Sequence, residues 1–151
     1  LGGLSFLLGK PQEAVEQLNE EFRVLLEYGT EKDAASAVSS LAQVSLRTGQ
    51  IEPAEEQARQ ALKLLGDRVD AVDEIGNAQL VLGRSLMEQG RLDEAAQAFD
   101  EAEHSFDQLS SVSHRAAAWI AKGDLAVRRG QDQLAAQLYR RAAEALQDFR
   151  F

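Results

Sequence analysis

The fold turns on residues 82–102, Leu82-Gly83-Arg84-Ser85-Leu86-Met87-Glu88-Gln89-Gly90-Arg91-Leu92-Asp93-Glu94-Ala95-Ala96-Gln97-Ala98-Phe99-Asp100-Glu101-Ala102. Two runs of helix-favouring residues flank Gly90. Glycine readily supplies the left-handed turn that ends one helix and lets the next begin. Gly83 stands seven residues before this glycine, Ala95 five after it, Phe99 nine after it and Ala102 twelve after it. Small residues at minus seven and plus five let two backbones approach closely, and the large residue at plus nine fills the groove. The stretch predicts a helix hairpin.

The same spacing recurs. Turn glycines stand at Gly9, Gly49, Gly90 and Gly130, separated by 40, 41 and 40 residues. Small residues precede them at Gly2, Ala42, Gly83 and Gly123, and alanines follow at Ala14, Ala54, Ala95 and Ala135. The plus-nine position holds Leu18, Ala58, Phe99 and Tyr139, and plus sixteen holds Leu25, Leu65, Phe106 and Leu146. Alanine returns at plus twelve in the last three units, at Ala61, Ala102 and Ala142. One hairpin cannot bury its apolar side alone, so a fixed period predicts a stack of hairpins. Composition agrees: 24 Ala and 21 Leu favour helix, and no alternating strand pattern stands out. Pro11 and Pro53 suit the first turn of a second helix, and Asp93 and Glu94 place negative charge at the same helix end.

These residues resemble the tetratricopeptide repeat. Trp119, Gly123, Gly130, Ala135, Tyr139 and Ala142 follow its pattern, as do Leu82, Gly83, Gly90, Ala95, Phe99 and Ala102. Leu41, Ala42, Gly49, Ala54 and Ala61 follow it with Ala58 in place of the aromatic. The first unit is partial, opening at Leu1-Gly2 and carrying Glu21 where alanine is expected. The resemblance implies an all-α fold: a right-handed superhelical solenoid of antiparallel helix pairs, about three and a half to four repeats. It implies one domain over residues 1–151, with units at about 1–28, 31–66, 70–109 and 113–149. The period exceeds the usual 34 or so residues. The extra length falls between hairpins, around Gly29-Thr30, Gly66-Asp67 and Ser110-Ser111-Val112-Ser113, where stops and N-caps are expected. Long repeats of this kind are similar to those of bacterial helix-turn-helix transcriptional regulators and peptide-sensing regulators. The stretch Leu1–Leu8 lacks a basic leader and a small-residue cleavage site, and reads as a helix entered partway. The chain is therefore expected to be a piece of a longer protein.

Charge and composition narrow the chemistry. The 151 residues carry 25 acidic and 16 basic side chains, a net charge of −9, two His and no Cys. That balance argues against this segment gripping a phosphate backbone, which takes clustered Lys and Arg. The absence of Cys removes a disulfide scaffold, a thiolate metal site and a Cys nucleophile. No apolar run approaches the roughly 20 residues of a membrane span. His104 and His114 have no second ligand at metal spacing. The pairs Glu55-Glu56, Asp93-Glu94 and Glu101-Glu103 read as solvated carboxylates, and Trp119 as a packing residue. No cofactor or metal is expected, and no catalytic residue is nominated.

In the family that these repeats resemble, the first (A) helix of each hairpin lines the concave face. Its outward positions then give the groove candidates. They are Ser39, Gln43 and Arg47; Asn77, Leu80, Arg84 and Met87; and Ile120, Asp124 and Arg128. Gln43 and Asn77 suit a peptide main chain, Leu80, Met87 and Ile120 suit apolar side chains, and the arginines suit a carboxylate. The competing reading pairs each arginine with a nearby acid, such as Arg84 with Glu88 one turn on. The expected function is a non-catalytic, cytoplasmic domain binding a protein or peptide. It would form the sensor or oligomerisation part of a bacterial transcriptional regulator, with DNA contact left to a domain upstream. The alternative is a constitutive scaffold or a self-associating homodimer, with Phe149 and Phe151 as an adhesive end.

Overall fold

Glycine at the end of each A helix sets the architecture. In the computed structural model, which describes residues 16, 17, 19, 20, 23 and 31–149, Gly49, Gly90 and Gly130 have φ of 82°, 78° and 73°. An L side chain is strained in that region, and glycine is not. Helices α1 (Glu31–Arg47) and α2 (Ile51–Leu65) meet at Gly49. A short 3-10 turn (Val69–Ala71) leads into α3 (Val72–Glu88), which meets α4 (Leu92–Asp107) at Gly90. Helices α5 (Val112–Arg128) and α6 (Asp132–Phe149) meet at Gly130. There is no strand among the described residues. Most of the first expected unit, including Gly2, Gly9, Pro11, Ala14, Leu18 and Leu25, lies outside the described residues, as do Phe151 and the side chain of Phe149.

Each turn closes one helix and opens the next with the same residue. The Gln50, Arg91 and Gln131 N–H groups donate to the carbonyls of Ser45, Leu86 and Ala126 at 2.8, 3.0 and 2.8 Å. The Gly49, Gly90 and Gly130 N–H groups donate to Leu46, Val127's counterpart Met87, and Val127 itself, at 3.2, 3.0 and 3.0 Å. This double bond is the Schellman pattern, and it satisfies carbonyls the helix end leaves open. The carbonyls of Gln50, Arg91 and Gln131 then accept from Ala54, Ala95 and Ala135, each at 3.0 Å, starting the B helix. Ser111 caps α5, its hydroxyl accepting from the His114 N–H at 3.4 Å. Gly66 ends α2 with φ of 56°.

Inside each hairpin, large residues of the B helix sit on small residues of the A helix. A Cβ built on Gly83 would lie 2.3 Å from the Phe99 ring, and one on Gly123 would lie 2.6 Å from the Tyr139 ring. Gly76 bears the same relation to Phe106, at 2.3 Å. The sizes are matched. Where the A helix has Ala42 and Ala35, the B helix has Ala58 and Leu65 in the same clusters. Phe99 and Phe106 are fully buried, and each contributes about 1.5–3 kcal/mol by transfer from water. Between hairpins, α2 packs on α3 and α4 on α5, joining Ala61 to Ala78 and Ala102 to Ala118. The result is a tetratricopeptide-like solenoid of helix pairs.

The ring-on-glycine contact makes a quantitative prediction. Gly83→Ala should destabilise the chain by about 1–3 kcal/mol in urea unfolding, because the Phe99 ring must shift in a filled core. In a Phe99→Leu background the same substitution should cost less than about 1 kcal/mol, since the added methyl then has room. Equal costs in both backgrounds would overturn this account of the packing.

Candidate partner-binding groove

The A helices crowd together on one side. Helix α1 packs directly on α3 and α3 on α5, whereas no comparable packing joins α2 to α4 or α4 to α6. Residues at equal register in neighbouring A helices therefore become neighbours in space. Asn77, Leu80, Arg84, Met87 and Glu88 recur at helical spacing along one face of α3. Ser39, Gln43 and Arg47 hold the corresponding places in α1, and Ile120, Asp124 and Arg128 in α5.

Four charges on this face are closed in two pairs. Arg84 Nη1 donates to Asp124 Oδ2 at 3.0 Å, and Tyr139 Oη donates to Asp124 Oδ1 at 2.5 Å. Arg128 Nη2 donates to Glu88 Oε1 at 2.6 Å, and Arg128 Nη1 donates to the Met87 carbonyl at 3.3 Å. The second pair puts a cation at the C-terminus of α3, where the helix dipole favours it. The Asp124 contact raises the Tyr139 hydroxyl above its ordinary pKa. Pairing with nearby acids is what one sequence reading expects, but the partners differ. Arg84 crosses to Asp124 in the next hairpin, not to Glu88 one turn on, and Glu88 is held by Arg128. The side-by-side packing of A helices brings these cross-hairpin partners closer than the same-helix ones.

The remaining groove candidates divide by burial. Ser39 and Met87 are buried, which withdraws them from a ligand surface. Gln43, Asn77, Leu80 and Ile120 are half-buried, and Arg47 is exposed. Val127, at the register of Met87, is 50% exposed. The accessible part of the face is thus made of amides and branched apolar side chains beside two closed ion pairs, with Arg47 exposed at its α1 end.

Two carboxylates that read as solvated in the sequence are hubs on the opposite side. Glu55 accepts from Gln89 Nε2 at 2.8 Å, from Arg59 Nε at 3.0 Å and from Arg91 Nη1 at 3.0 Å. It ties α2 to the turn between α3 and α4. The Gln89 hydrogen bond, with Arg59 and Arg91, outweighs burial and holds its carboxyl below the usual range. Glu103 accepts from Lys122 Nζ at 2.7 Å and from Trp119 Nε1 at 2.8 Å, tying α4 to α5. Burial pushes Glu103 up, but Lys122 and Trp119 more than offset it and the carboxyl stays low. Trp119 is buried as expected, with the Arg141 guanidinium 4.3 Å above its ring. Glutamate on an exposed-looking helix stretch carries no sequence signal for such a role. Only the cross-hairpin register reveals it.

The histidines are local. His104 is exposed, and His114 Nδ1 lies 2.5 Å from the Ser111 hydroxyl with its ring against Phe106. Among the described residues no group of His, Cys, Asp and Glu could hold a metal ion, and no helix is long and apolar enough to cross a membrane.

The sequence profile of the tetratricopeptide repeat matches residues 40–111 and again 80–148. The crystal structure of BtubC (BKLC) from P. vanneervenii is similar with a TM-score of 0.82 at 19% identity, over 99% of this chain and 61% of that one. The chain thus spans less than two thirds of that relative. The crystal structure of MamA is similar with a TM-score of 0.69 at 18% identity, over 99% of this chain and 77% of that one. A Podosopora anserina protein with nearly identical TPR-like repeats gives 0.70 at 18% identity, over 99% and 73%. At these identities the likeness is one of fold. No curated protein matches the chain.

The Glu55 hub fixes a pH dependence. A carboxyl whose folded pKa is depressed contributes stability above its unfolded value, and loses it as pH falls through the folded one. Glu55→Gln should cost about 1–2 kcal/mol at neutral pH. The difference from the native chain should shrink as pH drops below the ordinary glutamate value of 4.5. Urea midpoints across pH check this, and a constant gap would contradict the role given to the Glu55 charge.

Proposed function

This chain belongs to the tetratricopeptide repeat family, and from that premise we propose that it is a non-catalytic protein-interaction module whose A-helix groove receives an uncharged segment of a protein partner. The family is one of protein–protein interaction. The observation that carries the finer reading is the internal closure of the groove's charges, Arg84 with Asp124 and Arg128 with Glu88. A charged ligand residue that meets Arg84, Asp124, Arg128 or Glu88 finds each already paired and must compete with that partner. What the face offers is Leu80, Ile120 and Val127 for apolar side chains, and Gln43 and Asn77 for main-chain amides.

The finer setting, a sensor domain in a cytoplasmic bacterial transcriptional regulator, rests on the repeat period of about 40 residues. The matched structures add nothing to it. In that setting, a ligand acts only as far as it favours one curvature of the stack over another.

A photo-crosslinking amino acid at position 120, compared with one at the exposed position 97 on α4, tests the groove. The expected result is a protein adduct from position 120 only, lost in Leu80→Glu. Its yield should stay level between about 50 mM and about 500 mM salt, because no long-range charge attraction drives it. An adduct confined to position 97, or one that fades with salt, would refute the uncharged-segment reading.

A further inference from the structure

The side opposite the groove holds a cleft of about 290 Å³ between α4 and α6, floored by α5. Leu125, Leu134 and Leu138 form its apolar wall, and Asp100, Lys122 and Arg129 stand on its rim. Leu134 is 44% exposed, which water disfavours unless something covers it. The equivalent cleft one hairpin earlier, between α2 and α4, is about 160 Å³. There Glu94 and Ala98 occupy the positions of Leu134 and Leu138, four and eight residues after the turn glycine. The preceding hairpin is therefore built without leucine at either position; Leu138 packs in part against the Trp119–Ala142 cluster, so it is Leu134 that packing leaves unexplained.

The rim charges say what would fit. Two cations and one carboxylate line this cleft in a chain of net charge −9. Lys122 is already held by Asp100 at 2.8 Å and Glu103 at 2.7 Å. Arg129 makes one side-chain hydrogen bond among the described residues, Nη2 to Asp93 Oδ1 at 2.6 Å. The Asp93 side chain is fully exposed, and this bond takes one of the guanidinium's five N–H donors. We propose that this cleft is a second docking surface, independent of the A-helix groove. It takes a protein segment that sets a leucine-sized side chain against Leu134 and Leu138 and a neighbouring carboxylate on Arg129.

Two acetylated, amidated synthetic peptides test this, identical except for glutamate or lysine beside a single leucine. Methyl NMR of the whole chain reads the binding. The glutamate peptide should shift the methyls of Leu125, Leu134 and Leu138, and the lysine peptide should bind about tenfold more weakly. Leu134→Glu should abolish both responses while the chain stays folded, since the preceding hairpin carries glutamate at that register. Leu138→Ala, matched to Ala98, supplies a second variant should the first lose its fold by circular dichroism. Arg129→Gln should make the two peptides equal. Equal binding by the native chain, no shift with either peptide, or shifts that survive in both leucine variants would overturn the proposal. So would a concentration-dependent dimer in sedimentation that Leu134→Glu dissolves, because the occupant would then be a second copy.

Discussion

A ring lying on bare backbone is the constraint on which the rest depends. Phe99 over Gly83, Phe106 over Gly76 and Tyr139 over Gly123 fix the distance between the two helices of a hairpin. Helix glycine is unfavourable by roughly 1 kcal/mol against alanine, so its retention needs a packing reason. The ring supplies it. Where alanine replaces the glycine, a smaller side chain replaces the ring, and the interhelical space stays filled.

Once hairpin width is set, the side-by-side packing of A helices follows, and with it the electrostatics. Equal-register residues about 40 positions apart in sequence face each other across the seam, as in Arg84–Asp124 and Arg128–Glu88. On the other side, Glu55, Glu103 and Asp93 each reach a basic or amide partner in the next hairpin. These ties are partly exposed and individually modest.

The fold was legible because its determinants are local and periodic. Gly49, Gly90 and Gly130 announce the turns, and Gly83 with Phe99 and Gly123 with Tyr139 announce the packing. The Gly76–Phe106 contact was missed, although Phe106 was singled out, because its partner sits at a register the family pattern leaves open. The groove was less legible. The face occupied by Arg84 and Arg128 follows from helical spacing, but the identity of their partners depends on how two A helices meet, which no single-helix pattern encodes. Ser39 and Met87 lie on the chosen stripe yet are buried, a difference that helical spacing alone does not encode. Glu55 and Glu103 read as solvated carboxylates because their partners, Gln89 and Arg91 for one and Trp119 and Lys122 for the other, lie in the next hairpin.

The shared turn residue has a mechanical meaning. Because Gln50, Arg91 and Gln131 each finish one helix and start the next, the hairpin bend has no slack and cannot absorb an inserted residue. The joints between hairpins differ: one spans residues 66–71 and another only 108–111. Length variation, and with it any adjustment of superhelical pitch, is confined to those joints. The solenoid is an articulated rod of inextensible links.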